Sequence, residues 1–85
     1  MNSVGIDISK GRSTVAVMRP FGEVVISPFE VRHTNSELSA LARLLKSLDG
    51  ETRVVMEATE NYHTPVAKVL HDARLYVSVV HAKLI

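Results

Sequence analysis

Arg53-Val54-Val55-Met56-Glu57, then Thr64-Pro65 with Val66, Val69, Leu70 and Ala73, then Leu75-Tyr76-Val77-Ser78-Val79-Val80: this is the stretch on which the fold turns. Arg53 to Met56 is too short for a helix and β-branched enough for a buried strand. The middle spacing gathers its apolar side chains on one helical face. That helix starts at Thr64-Pro65, or nearer Asn61 with Pro65 in its first turn. Leu75 to Val80 is a strand again. Strand, helix and strand in this order form a crossover between parallel strands, which normally needs helices on both faces of its sheet. A further helix is therefore expected after Val80, and residues 1–85 read as one domain, the front part of something longer.

Upstream, Val4, Ile6 and Ile8 alternate with Gly5 and Asp7, the period of a strand. Gly11 interrupts, Ser13 to Met18 resumes a β-rich run, and Pro20-Phe21-Gly22 is a turn. Glu23 to Ile26 opens a third strand that can continue past Pro28 to Val31, making an antiparallel meander. Thr34-Asn35-Ser36-Glu37 has the form of a capping box, with the Thr34 hydroxyl taking a backbone N–H and Glu37 reaching back. Leu38, Leu41, Leu45 and Leu48 follow at helical spacing, and Gly50 suits the stop. The predicted order is β-β-β-α-β-α-β in an α/β mixed sheet. A right-handed crossover from the edge strand through the first helix delivers strand four beside strand one. The spatial order is then 3-2-1-4-5.

Composition narrows the classes. Eighty-five residues make one small domain, and 10 Lys and Arg against 9 Asp and Glu leave a net charge of +1. That balance lacks the basic excess typical of nucleic-acid binders, without excluding binding through a basic surface in residues outside these 85. The absence of cysteine removes disulfides, thiolate metal sites and a cysteine nucleophile. No apolar run approaches the ~20 residues that span a bilayer, and the N-terminus lacks signal-peptide character, so a cytoplasmic location is the default.

Two acids stand out. Asp7 lies near the end of the first strand and Glu57 directly follows the fourth. Active sites of open α/β sheets form outside the carboxyl ends of strands. If strands one and four are parallel neighbours, both carboxylates can reach one hard cation such as Mg²⁺. An acid ending a strand is also a common turn former or helix cap, so spacing alone does not decide between the two roles.

The surrounding residues add a resemblance. Val4-Gly5-Ile6-Asp7-Ile8-Ser9-Lys10 is similar to the opening of the DEDD transposases of the one-ten insertion-sequence group, relatives of pilin-gene inverting recombinases. Met56-Glu57-Ala58-Thr59-Glu60-Asn61-Tyr62-His63 resembles their second signature, and Leu70-His71-Asp72-Ala73 with Val77-Ser78-Val79-Val80 follows in order. The resemblance implies an RNase H-like, RuvC-type domain using four acids with Mg²⁺. It makes Asp7 and Glu57 the first two acids, both catalytic and metal-binding, and assigns the other two to a later helix that these residues do not reach. It also implies DNA as substrate, a structured guide RNA, and a separate C-terminal domain with a nucleophilic serine. On its own the front segment is then expected to be inactive. The chain departs from the family pattern at Glu60 and Arg74, where glycines are usual, and at His81-Ala82 in place of Asn-Pro.

Other residues carry weaker expectations. Lys10 is a candidate phosphate contact beside an ordinary solvated role. Tyr62 reads first as packing under the second helix and second as a base-stacking residue. Thr59 and Asn61 are candidate nucleic-acid contacts, with helix capping the simpler role. The histidines (His33, His63, His71 and His81) lack H-x-x-x-H spacing, so zinc is not expected. Ser9 and Ser13 have no base at recognisable spacing. Two other functions compete. An actin-like ATPase or sugar-kinase fold also opens with a Gly-Ile-Asp strand, but depends on a glycine-rich turn where Ser9-Lys10 stands here. A non-catalytic remnant could keep the fold as an interaction module. The uncovered sheet face left by the expected missing helix, formed partly by Val77, Val79 or Val80, predicts a homo-oligomer.

Overall fold

The alternation at the N-terminus becomes strand β1, Asn2–Ser9, in a computed structural model that describes residues 1–81. Lys10 and Gly11 turn the chain, with Gly11 at φ 76, into β2, Arg12–Arg19. A short 3-10 turn over Pro20–Gly22 leads into β3, Glu23–Arg32. Helix α1 spans Asn35–Lys46, β4 Thr52–Ala58, α2 Thr64–Asp72 and β5 Tyr76–His81. The order in space is β3-β2-β1-β4-β5, with β1, β2 and β3 antiparallel and β4 and β5 parallel to β1. The expected topology is the observed one.

Among the described residues both helices cover one face. Val4, Ile6, Ile8, Val15, Val17, Val54, Met56 and Ala58 point into it and meet Leu38, Leu41, Leu45, Val66 and Leu70. No helix of the described residues covers the other face, and Gly5, Asp7, Thr14, Val55 and Glu57 on it are exposed. The last strand divides between the two faces. Val77 and Val79 pack against the core, whereas Val80 is exposed beside Glu57. Of the three valines expected to be left bare, only Val80 belongs to the open face. Ala82 lies outside the described residues.

Several local expectations shift by a residue or a partner. The Thr34 Oγ1 accepts from the Glu37 N–H as a cap should, but the Glu37 carboxylate accepts from the Arg32 N–H, 3.0 Å away, tying α1 to the end of β3 instead of to its own cap. α1 ends at Lys46 with Ser47 as its cap, and Gly50 (φ 85) serves the following turn. α2 begins at Thr64 with His63 at its cap, so Thr59 and Asn61 do not cap it with their side chains; Asn61 accepts from Thr64 through its carbonyl. Its C-terminus closes as a Schellman motif: Leu75 N–H bonds the Leu70 carbonyl and Arg74 N–H the His71 carbonyl. Arg74 takes the left-handed position at φ 65. β3 is an edge strand with register shifts opposite Val15–Val17 and Val17–Met18, and Pro28 sits at the first, where a missing N–H costs no ladder bond.

Buried Asn2 pins three segments. Its amide donates to the Asp49 carbonyl (2.8 Å) and the Thr52 hydroxyl (3.1 Å), and its oxygen accepts from Arg19. Sequence reading missed it, because a polar residue at a strand start carries no signal until its partners are known.

Candidate active site

Asp7 and Glu57 are register partners on adjacent parallel strands. Neighbouring strands lie ~4.8 Å apart, and side chains at matched positions leave the same face, so the two carboxylates stand side by side. Both are exposed on the open face, and among the described residues neither joins an ion pair. Like charges held this close repel, and a cation between them relieves the repulsion. Two adjacent carboxylates with nothing but oxygen donors fit a hard divalent cation. Among the described residues no third His, Cys, Asp or Glu joins them.

A shallow depression of about 300 Å³ is lined by Gly5, Asp7, Thr14, Ala16, Val55 and Glu57. A Cβ added at Gly5 meets no atom within 4 Å, so packing inside the chain does not require glycine there. A strand glycine without an internal reason suits close approach by something outside. A larger groove of about 420 Å³ runs between α2 and β5, on the helix-covered side, lined by His63, Lys68, His71 and Asp72 among others. It has no pair of unpaired acids, since Lys68 engages Asp72 at 3.2 Å.

The other sequence candidates scatter around the acids. Lys10 is exposed in the β1–β2 turn, just beyond the carboxyl end of β1. Thr59, Asn61 and Tyr62 lie in the segment between Glu57 and α2. Tyr62 is 40% exposed, so it is not packed away under the helix as expected. Two histidine contacts were invisible to spacing. The rings of His63 and His81 meet edge to face with centroids 5.2 Å apart. His33 Nε2 lies 2.6 Å from Ser13 Oγ, and burial lowers the His33 pKa from its ordinary value. Ser13 thus has a base beside it, contrary to expectation, but at 2% exposure on the covered face it is a structural pin with no room for a substrate.

A five-stranded mixed sheet in this order, with paired acids at the carboxyl ends of its central parallel strands, defines an RNase H-like α/β domain. The family model of DEDD transposases of the IS110 type matches residues 4–85, and the chain belongs to that family. No curated protein matches the sequence. Solved structures share the fold at low identity. RuvC of Thermus thermophilus aligns at TM-score 0.65 and 15% identity, over 95% of this chain and 62% of that one. Pelota of Archaeoglobus fulgidus gives 0.62 and 20%, over 99% and 27%. A ROK family protein of Streptococcus pneumoniae in complex with sucrose gives 0.56 and 16%, over 95% and 34%. The chain thus spans less than two thirds of each of these proteins. Such different proteins on one fold mean that function must be argued from the site. No helix among the described residues is long and apolar enough to cross a membrane.

Proposed function

We propose that residues 1–85 are the front part of the RuvC-like catalytic domain of a transposase, acting on insertion-element DNA with a divalent metal, Mg²⁺. The observation that carries this reading is the shared register of Asp7 and Glu57 on an open sheet face, in a chain whose family is that of DEDD transposases. Asp7 and Glu57 hold the cation from β1 and β4, whose pairing to a common ladder keeps their spacing constant. When bound, the metal supplies positive charge to the attacking and leaving oxygens of a phosphodiester. The shallow depression around Gly5 admits the nucleic-acid strand. Lys10 beyond β1, and Thr59, Asn61 and Tyr62 beyond β4, flank the acids as nucleic-acid contacts. By family membership two further acids and a structured guide RNA complete the machinery, and the reaction belongs in the cytoplasm with the element DNA. These residues alone hold half of the acid set, and groups that act as a unit lose far more than their share when divided.

The ATP-binding alternative has little to stand on at the site: Lys10-Gly11 is a two-residue hairpin turn with one glycine, too small to cradle a triphosphate. The test compares the full transposase with its Asp7→Ala variant on element-end DNA with Mg²⁺. Loss of recombination in a folded variant is expected. Equal recombination by the two proteins removes Asp7 from the site, and the reading with it.

A further inference from the structure

The open face carries a second charge arrangement, of opposite sign, one step from the acids. Arg12 on β2 and Arg32 on β3 are direct register partners, and both are exposed. Like charges directly opposite one another across an antiparallel pair destabilise it. A charge on Arg32 serves to protect an edge strand, but that does not account for a second like charge facing it from the interior strand β2. Among the described residues one ion pair engages either guanidinium: the Glu30 carboxylate lies 3.7 Å from Arg12, with both side chains more than half exposed. The Glu37 carboxylate accepts from the Arg32 backbone N–H instead. The arginines also share the face of the acids. Ser9 pairs with Arg12 and Asp7 with Thr14, so Arg12 stands on the diagonal from Asp7, a separation of roughly 7–8 Å between backbones. Arg12 is paired outward, to Glu30, and among the described residues Asp7 joins no ion pair.

We propose that Arg12 and Arg32 form a clamp for the phosphodiester backbone of DNA, positioning the strand on the open face beside Asp7 and Glu57, with Glu30 as a counter-ion that phosphate displaces. The planar guanidinium suits this work, since it takes phosphate oxygens in a fork. An arriving phosphate removes the Arg12–Arg32 repulsion that the free protein carries. The Glu30 contact, long and exposed, is weak enough to be exchanged. Such contacts set register and orientation and carry no base specificity. The clamp deepens the reading of the acid pair as a DNA-processing site and rests on it for its purpose, though its binding can be measured without catalysis.

The test is binding of the 85-residue chain to a fluorescent DNA duplex, in EDTA, across a series of salt concentrations. Each phosphate contact contributes about 0.9 to the slope of log affinity against log salt. The Arg12→Ala/Arg32→Ala variant should bind more weakly and lose close to 2 from that slope. The Arg12→Lys/Arg32→Lys variant keeps the charges and should keep most of the slope. Glu30→Gln removes the competing carboxylate and should bind more tightly than the parent, a gain that misfolding cannot imitate. No measurable binding by the parent at low salt, an unchanged slope in the alanine variant, or no gain from Glu30→Gln overturns the clamp. Tighter binding of an RNA duplex with the same arginine dependence overturns its assignment to DNA. Asp7→Asn separates the two levels: it should leave or strengthen binding in EDTA while abolishing recombination in the full transposase. Retained recombination there, with arginine-dependent binding intact, removes the catalytic reading and leaves the clamp.

Discussion

Asp7 and Glu57 occupy one register position on neighbouring parallel strands, 50 residues apart in the chain and side by side on the uncovered face of the sheet. Their mutual repulsion is part of the folded state and absent when the chain is extended, so anything that neutralises it stabilises the fold.

Mg²⁺ should therefore raise the melting temperature of the chain. At ten times its dissociation constant a ligand of the native state contributes about 1.4 kcal/mol, or roughly 5–10 °C for a domain of this size. Asp7→Asn should melt higher than the parent without metal and show no further rise with it. Equal metal-induced shifts in parent and variant, read by calorimetry, place the cation elsewhere.

The Ser13–His33 contact gives the fold a pH dependence of definite sign. Burial lowers the His33 pKa in the folded chain, so the unfolded chain binds its proton more readily. Stability from this source is complete above the unfolded value of about 6.5 and is lost as pH falls from there through the folded pKa. Urea midpoints at pH 5 and 8 should differ in the parent and converge in His33→Gln. A larger midpoint at pH 5 contradicts the assignment.

Arg74 holds the left-handed position that closes α2. A side chain there meets its own backbone, and glycine does not. Arg74→Gly should stabilise the chain by about 1 kcal/mol, seen as a higher thermal midpoint with an unchanged denaturant slope. A loss of stability means that the Arg74 side chain makes a compensating contact.

Asn2→Ala should be among the costlier single changes. It strips hydrogen bonds from Arg19, Thr52 and the Asp49 carbonyl at a fully buried position. A loss of roughly 2 kcal/mol is expected, since buried partners left unpaired retain their desolvation penalty. Chemical denaturation measures it, and a change below about 0.5 kcal/mol, the range of ordinary surface substitutions, shows that water replaces the amide freely.

The open face should also bring copies of the chain together. Val55, Tyr76 and Val80 leave it exposed, Arg53 lies 5.1 Å over the Tyr76 ring, and uncovered apolar surface favours association. Sedimentation at rising concentration should show self-association that Val55→Lys with Val80→Lys abolishes. A monomer throughout removes the homo-oligomer.

The set of elements and their arrangement follow from patterns local to the chain. Strand period at Val4–Ile8, helical period at Leu38–Leu45 and the strand–helix–strand unit at 53–80 are local patterns, and one handedness rule for crossovers converts them into the order 3-2-1-4-5. The juxtaposition of Asp7 and Glu57 was legible for the same reason, since each lies near the end of a strand whose place could be derived, although Glu57 falls inside β4 where the sequence put it just after the strand. Whatever depends on which side chains share a face and a register came only with the folded sheet. Ser13 with His33, His63 with His81 and Arg12 with Arg32 are separated by about twenty residues and show no periodic signal. The bulges opposite Val15–Met18 shift the pairing of β3 in a way that alternation cannot foresee. Both helices on one face, and hence the open bed around the acids, follow from apolar stripes finding a common core. Secondary structure is set by neighbours along the chain, whereas contacts across the sheet are set by register, and register exists only once the strands have met.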